Sequence, residues 1–327
     1  MSVRVGVIGA GRMGQEHLRR LSSIEEAQVV AVADANADLA RAQAAPRGAH
    51  AYDDPARMLA EEDLQAVVIA TPGLLHREHV QMAAEAGLHI LLEKPVAISM
   101  EDALAIREAV RRAGVITAVG YQWRNLETIA AAQEALQGQA VTMVNGTWYW
   151  TTPLVRWIAD RDQGGGQLVD QVTHLFDLMR YLVGEITTVY ARFSARAREG
   201  QPGFNNWDAS AVAYEFENGA VGVVQASYAL FADCPVPVTM DVLARDLLLR
   251  VTSAQLEIHR PGESRILRAG SGWGLRLDRD FIEAVRTGQQ SRVLCDVEEA
   301  VTSLAISLAA NRSAETGEPV RVRDLLG

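Results

Sequence analysis

Six residues near the start of the chain, Gly9-Ala10-Gly11-Arg12-Met13-Gly14, constrain its fold more than any other stretch. They follow the β-rich run Val3 to Ile8 and precede a helical stripe of Met13, His17, Leu18 and Leu21. Between a strand and a helix this spacing has a mechanical reading. Gly9 allows the tight turn, Gly11 lets backbone approach a pyrophosphate, and Gly14 lets helix pack on strand. The helix start, Arg12 and Met13 included, turns its N–H groups toward the anion. A second strand, Gln28 to Ala33, ends about twenty residues on in Asp34, where a carboxylate can accept from the adenosine ribose hydroxyls. That acid favours NAD over NADP, since it repels a 2′-phosphate and Ala35 and Asn36 bring no cation. Arg12 and Arg41 are the cations a phosphate could still reach.

The alternation continues. Ala66 to Ala70 is an apolar strand ending in Thr71-Pro72, and a helix with Val80, Ala83 and Ala84 inward follows. Leu88 to Leu92 reads as a buried parallel strand, stopped by Glu93-Lys94-Pro95. Ligands of open α/β sheets gather outside the carboxyl ends of the strands, where Lys94 emerges, and Pro95 ends the ladder. Ser99 with Asp102 resembles a capping box opening a helix through about Arg112, before Gly114 and a strand Val115 to Val119. The expectation is an α/β domain over residues 1–120 with a doubly wound parallel sheet.

After Gly120 the pattern changes. A short helix near Thr128 to Leu136 precedes strand-like runs at Val141 to Trp150, Ile186 to Ala195, Trp207 to Phe216 and Val221 to Tyr228. Asn218-Gly219 reads as a type I′ hairpin turn. Without regular crossovers, residues 121–327 should form an α+β domain with a largely antiparallel open sheet. Asp296 with Glu299 resembles another capping box, opening a helix of about 296–315 that is expected to pack back on the first domain.

Formal net charge is -10, which leaves no electrostatic footprint for nucleic acid and nothing to attract an anionic membrane. Cys234 and Cys295 are far apart and lack metal-ligand spacing, so reduced thiols and a cytoplasmic protein without a metal site are expected. No apolar run approaches the ~20 residues of a membrane helix.

Gly164-Gly165-Gly166 should open a helix to about Val183 that carries Asp170, His174 and Asp177 on one face. A carboxylate one turn from an imidazole can raise its basicity and orient it as a general base; a solvated Asp–His pair is the bland alternative.

Together, Gly9-x-Gly11-x-x-Gly14, Asp34, Thr71-Pro72 with His76, Glu93-Lys94-Pro95 and the glycine-led Asp170, His174 and Asp177 resemble the Gfo/Idh/MocA oxidoreductases over residues 3 to about 184. The resemblance implies Lys94, Asp170 and His174 as a catalytic trio, with Thr71, Pro72, His76, Glu93 and Lys94 joining the glycine turn and Asp34 around NAD. It also implies Arg124 and Asp177 in a substrate pocket and a Lys94–Pro95 peptide that is often cis in such proteins. Gly73 departs from a position often polar in the family. Trp150 and Trp157, within an indole-rich segment, and Asn205-Asn206-Trp207-Asp208 suit a neutral carbohydrate or cyclitol, by stacking and hydroxyl binding. Arg124 and Arg156 leave an acidic substrate open.

The expected activity is oxidation of a secondary hydroxyl of a sugar, inositol or related polyol with NAD. His174 would take the proton and Lys94 would steady the oxygen. The alternatives are a glycosidase or lyase that oxidises a sugar carbon only transiently, and a non-catalytic nucleotide-sensing regulator. The exposed face of an antiparallel sheet needs covering, and relatives associate through it, so a homodimer or tetramer is expected.

Overall fold

The computed structural model describes residues 2–151, 155–231 and 234–327. The chain divides into two compact units, Met1–Asn125 with Gly272–Val301, and Leu126–Ser271 with Thr302–Gly327.

Among the described residues the first unit has six strands: β1 Val3–Ile8, β2 Ala27–Ala33, β3 His50–Tyr52, β4 Ala66–Ile69, β5 His89–Leu92 and β6 Thr117–Val119. They lie in the order β3-β2-β1-β4-β5-β6 and every neighbouring pair is parallel. This is the doubly wound sheet expected, and strands so apolar need helices on both faces. The helices α1 Arg12–Leu21, α2 Ala37–Ala44, α3 Pro55–Glu61, α4 His76–Glu85 and α5 Met100–Ala113 alternate with the strands. Local signals set their ends. The Ser99 hydroxyl accepts the Asp102 N–H at 3.1 Å to start α5, and Gly114, at φ 64°, stops it in a left-handed conformation.

One helix of this unit comes from far along the chain. Trp273–Thr287 buries Phe281, Ile282 and Ala284 in the cluster that holds Val5, Val7, Leu18 and Leu91. Residues 272–301 therefore belong with the first unit, whereas the sequence pattern predicts residues 121–327 as the second domain with only the helix of about 296–315 packing back on the first. The apolar face of this helix finds its partners in the parallel-sheet core.

Among the described residues the second unit has nine strands: β7 Val141–Thr151, β8 Ile186–Ser194, β9 Ala209–Phe216, β10 Val221–Leu230, β11 Thr239–Ala244, β12 Leu247–Val251, β13 Gln255–Arg260, β14 Glu263–Arg268 and β15 Val320–Arg321. Their order is β14-β13-β12-β11-β7-β10-β9-β8-β15. β7 and β10 run parallel and the other neighbours antiparallel. The helix Thr173–Val183 covers one face. Gly146 permits that approach, because a Cβ there would stand 2.9 Å from Met179 and 3.1 Å from Leu175. The other face leaves Met143, Tyr190, Val221 and Val223 exposed.

Two local expectations are corrected. Asn218-Gly219 joins β9 to β10, but not as a type I′ turn. Gly219 alone of the pair has a positive φ, 87°, and Phe216 N–H donates to Ala220 O across a three-residue loop. Asn218 is used instead to accept the Ala220 N–H and to donate to Val183 O. The glycine-led helix is not one helix either. Arg161–Gly164 is a separate turn, Gly165 and Gly166 take positive φ, and Leu168–Val172 is a π-helical turn that leads into Thr173–Val183. The helix Val297–Thr316, whose start Asp296 caps by accepting the Glu299 N–H at 3.0 Å, is counted with the first unit only as far as Val301.

Candidate active site

In the first unit the glycine turn is stapled by a carboxylate of its own chain. Asp34 Oδ2 accepts the Ala10 N–H and Oδ1 the Asn36 N–H, both at 2.8 Å. Gly9 has φ 93°, and a Cβ on it would lie 2.8 Å from the Ala70 carbonyl. A Cβ on Gly14 would come within 1.9 Å of Gly9 O, whereas one on Gly11 would meet nothing within 4 Å. The turn is thus closed at Gly9 and Gly14 and open at Gly11, the position where backbone must approach a pyrophosphate. No side chain caps α1 at Gly11, so the N–H groups of Arg12 and Met13 head a bare helix start. These residues fit a dinucleotide. Of the two cations weighed against NAD, Arg41 is paired with Asp38, and Arg12 is exposed.

The carboxyl ends of β4 and β5 are tied together by a buried imidazole. His76 Nε2 is 2.9 Å from Thr71 O and Nδ1 is 2.8 Å from Pro95 O. Burial pushes its pKa down, against the pull of the two carbonyls. Thr71 Oγ1 bonds His79 Nδ1 at 3.0 Å, and burial lowers that imidazole too. Pro72 precedes Gly73, where a Cβ would press on Pro95 at 3.2 Å and Ile98 at 3.3 Å; the glycine is explained by close packing. The Lys94–Pro95 peptide is cis. Glu93, buried, accepts the Lys94 N–H at 3.1 Å. Lys94 is the only lysine in a chain with 31 lysines and arginines together. Where arginine serves everywhere else, this position keeps a compact ammonium.

Arg124 is buried in the same unit. It donates to Leu294 O at 2.7 Å and to Glu299 at 3.0 Å, fastening residues 294–299 beside the sheet.

In the second unit, Asp170 sits in the π-helical turn and His174 in the first turn of the helix after it, both buried. π turns of this kind recur at functional sites. The Trp148 indole stacks on the His174 imidazole, with centroids 6.0 Å apart and planes at 15°. Asp177 lies one turn deeper and accepts the Ser303 hydroxyl at 2.8 Å, which in turn accepts from Arg180 at 2.9 Å. Trp150 is on the same face of β7 as Trp148 and is 48% exposed; Trp157 is half-buried on the short helix Arg156–Ala159. The amides and indole at 205–207 mainly brace the segment before the glycines. Asn205 bonds Asp160 and the Arg161 N–H, Asn206 bonds Ile158 O, and Arg161 lies over Trp207.

Sequence reasoning missed Tyr228. It lies on β10, on the face of Ala226, which pairs with Trp148 across the parallel ladder. Its buried hydroxyl has no hydrogen-bond partner among the described residues. Burial, and the Asp170 carboxylate nearby, push the phenol pKa well above its usual value. The signal was available in the period-two series Gly222, Val224, Ala226, Tyr228, in which a polar group ends an inward row.

Residues 3–121 match the model of an oxidoreductase family with an NAD-binding Rossmann fold, and residues 131–243 match that of the Gfo/Idh/MocA C-terminal domain. The scyllo-inositol 2-dehydrogenase (NAD(+)) of Bacillus subtilis (strain 168) is 29% identical over 341 residues, 98% of this chain and 96% of that one. The D-glucoside 3-dehydrogenase of Escherichia coli (strain K12) is 30% identical over 254 residues, 70% of this chain and 71% of that one. Levoglucosan dehydrogenase, solved in complex with NADH and levoglucosan, shares the fold with a TM-score of 0.88 at 24% identity, over 98% of this chain and 100% of that one. A glycine turn held open for a dinucleotide, within the first of two matched domains, makes this chain a member of the Gfo/Idh/MocA family of NAD-binding oxidoreductases.

Proposed function

We propose that the protein is a dehydrogenase that uses NAD to oxidise a secondary hydroxyl of a sugar, inositol or related polyol. The observation that carries this reading is the buried His174 imidazole, stacked on an indole and accompanied by Asp170 and by a Tyr228 hydroxyl without a partner among the described residues. An acid–base group beside an aromatic face and several hydroxyl-binding groups suits a neutral, polyhydroxylated ligand. Bound NAD supplies the hydride acceptor. His174 accepts the proton of the reacting hydroxyl, since an imidazole ordinarily titrates near neutral pH. The Lys94 ammonium stabilises the negative charge that develops on that oxygen. Asp170 orients the imidazole or a neighbouring hydroxyl. Relatives named for scyllo-inositol and for a D-glucoside support this substrate class.

The preference for NAD over NADP rests on Asp34 and on the Arg41–Asp38 pair, which leave a 2′-phosphate facing a carboxylate. The exposed Met143, Tyr190, Val221 and Val223 favour a homo-oligomer that covers this sheet face, and light scattering reads its mass directly. The activity test follows absorbance of reduced nicotinamide with NAD, then NADP, against inositols, aldoses, glycosides and sugar acids. Sustained reduction of NAD by one class is expected. Bound cofactor with no net reduction on any of them overturns the dehydrogenase reading, and points to chemistry in which a carbon is oxidised and then reduced again.

A further inference from the structure

Beneath the Lys94–Pro95 turn, within the first unit, lies a charged array that the mechanism above does not use. His17, in the second turn of α1, is fully buried. Its Nδ1 is 3.0 Å from both oxygens of Asp278, on the helix Trp273–Thr287, and its Nε2 is 3.0 Å from Oε1 of Glu93, at the end of β5. Asp278 is also fully buried and Glu93 nearly so. The other carboxylate oxygen of Glu93 accepts the backbone N–H of Lys94 at 3.1 Å. Gly120 makes room for that carboxylate, because a Cβ there would lie 2.9 Å from Oε2 and 3.1 Å from Cδ.

Two buried carboxylates are costly unless a cation lies between them. Burial alone would push the His17 imidazole down, but Asp278 and Glu93 raise it to about 10, so the ring is charged at neutral pH. The array therefore spends one cation and two anions where leucines would fill the space at less electrostatic cost. It also reaches one specific group, the Lys94 amide.

We propose that His17 and Asp278 are positioning residues for Lys94: through Glu93 they fix the backbone from which the lysine projects. The helix that opens at the glycine turn and the helix Trp273–Thr287 thereby set the placement of the chain's one ammonium side chain. This rests on the reading of Lys94 as the group that steadies the reacting oxygen, and the test separates the two.

Because Lys94 is the only lysine, an amine reagent has one side chain to modify, with the N-terminal amine as internal reference. Trinitrobenzenesulfonate labelling of the full-length protein, followed peptide by peptide across a pH series, reads Lys94 without any substrate. In His17→Gln and Asp278→Asn the Lys94 rate relative to the reference should change by about threefold or more, with NADH affinity by fluorescence held within about twofold. Gly120→Ala, which displaces the Glu93 carboxylate and leaves His17 and Asp278 intact, serves if the buried substitutions do not fold. With a substrate in hand, kcat in the same variants should fall by up to about 100-fold while KM for NAD holds. Lys94 labelling at the wild-type rate and pH profile in folded variants overturns the proposal. Altered labelling together with an active Lys94→Ala enzyme leaves the positioning intact and overturns the catalytic role of the lysine.

Discussion

Lys94 and Tyr228 make opposite demands on the fold, and the difference can be measured. Lys94→Ala should lower turnover by about 100-fold or more, the scale of losing a group that stabilises developing charge, while NADH still binds because the glycine turn and Asp34 are untouched. Near-normal turnover would remove the lysine from the reaction. Tyr228→Phe removes a buried hydroxyl that has no partner among the described residues, so its melting temperature should equal or exceed wild type. KM for the hydroxylated substrate should rise instead. A clear loss of stability would mean that the phenol serves packing rather than binding. The glycine turn, Asp34 and Glu93-Lys94-Pro95 were legible in the sequence because each is a local pattern with a local cause. Trp148 and Tyr228 were not singled out, since their roles depend on which face of β7 and β10 turns inward. His17 and Asp278, 261 residues apart, had no local cause to betray them.

At the scale of elements, the His17–Asp278 pair joins α1 to the helix Trp273–Thr287, and that joint titrates. The folded imidazole is raised from the ordinary 6.5 to about 10 by the two carboxylates, against burial. A group raised on folding contributes its full stabilisation below about pH 6.5 and loses it as the pH climbs through about 10. The melting temperature of the wild type should therefore fall between pH 7 and 10, and fall less in His17→Gln; parallel curves would mean that the imidazole does not carry the dependence. Gly14 sets a second limit on α1. Gly14→Ala would drive a methyl into Gly9 O and force the turn apart, so NADH binding should drop by at least about tenfold even in folded protein, as isothermal titration would read. Apart from β3, the strands of the parallel sheet are plain in the sequence as short apolar runs. β3 has three residues and β14 faces outward along most of its length, so neither carries a hydrophobic period. The π-helical turn at Leu168–Val172 is hidden because no residue in Leu-Val-Asp-Gln-Val distinguishes a π turn from an α turn.

For the whole molecule, the sequence pattern predicts domains of residues 1–120 and 121–327 with a helix of about 296–315 returning to the first, whereas the segment that returns is Gly272–Val301. An amphipathic helix such as Trp273–Thr287 announces that it must pack somewhere, and nothing local says where. That arrangement has a consequence for how the protein is made. When residue 125 has left the ribosome, all six strands of the parallel sheet exist, yet Phe281, Ile282 and Ala284 of their core cluster have not been synthesised. At ordinary elongation rates they arrive roughly 8 to 30 s later. Through that interval the nascent first unit must carry an uncovered apolar surface, and the whole intervening stretch from Leu126 to Ser271 emerges in its company. The domain that starts the chain is among the last parts of it to close.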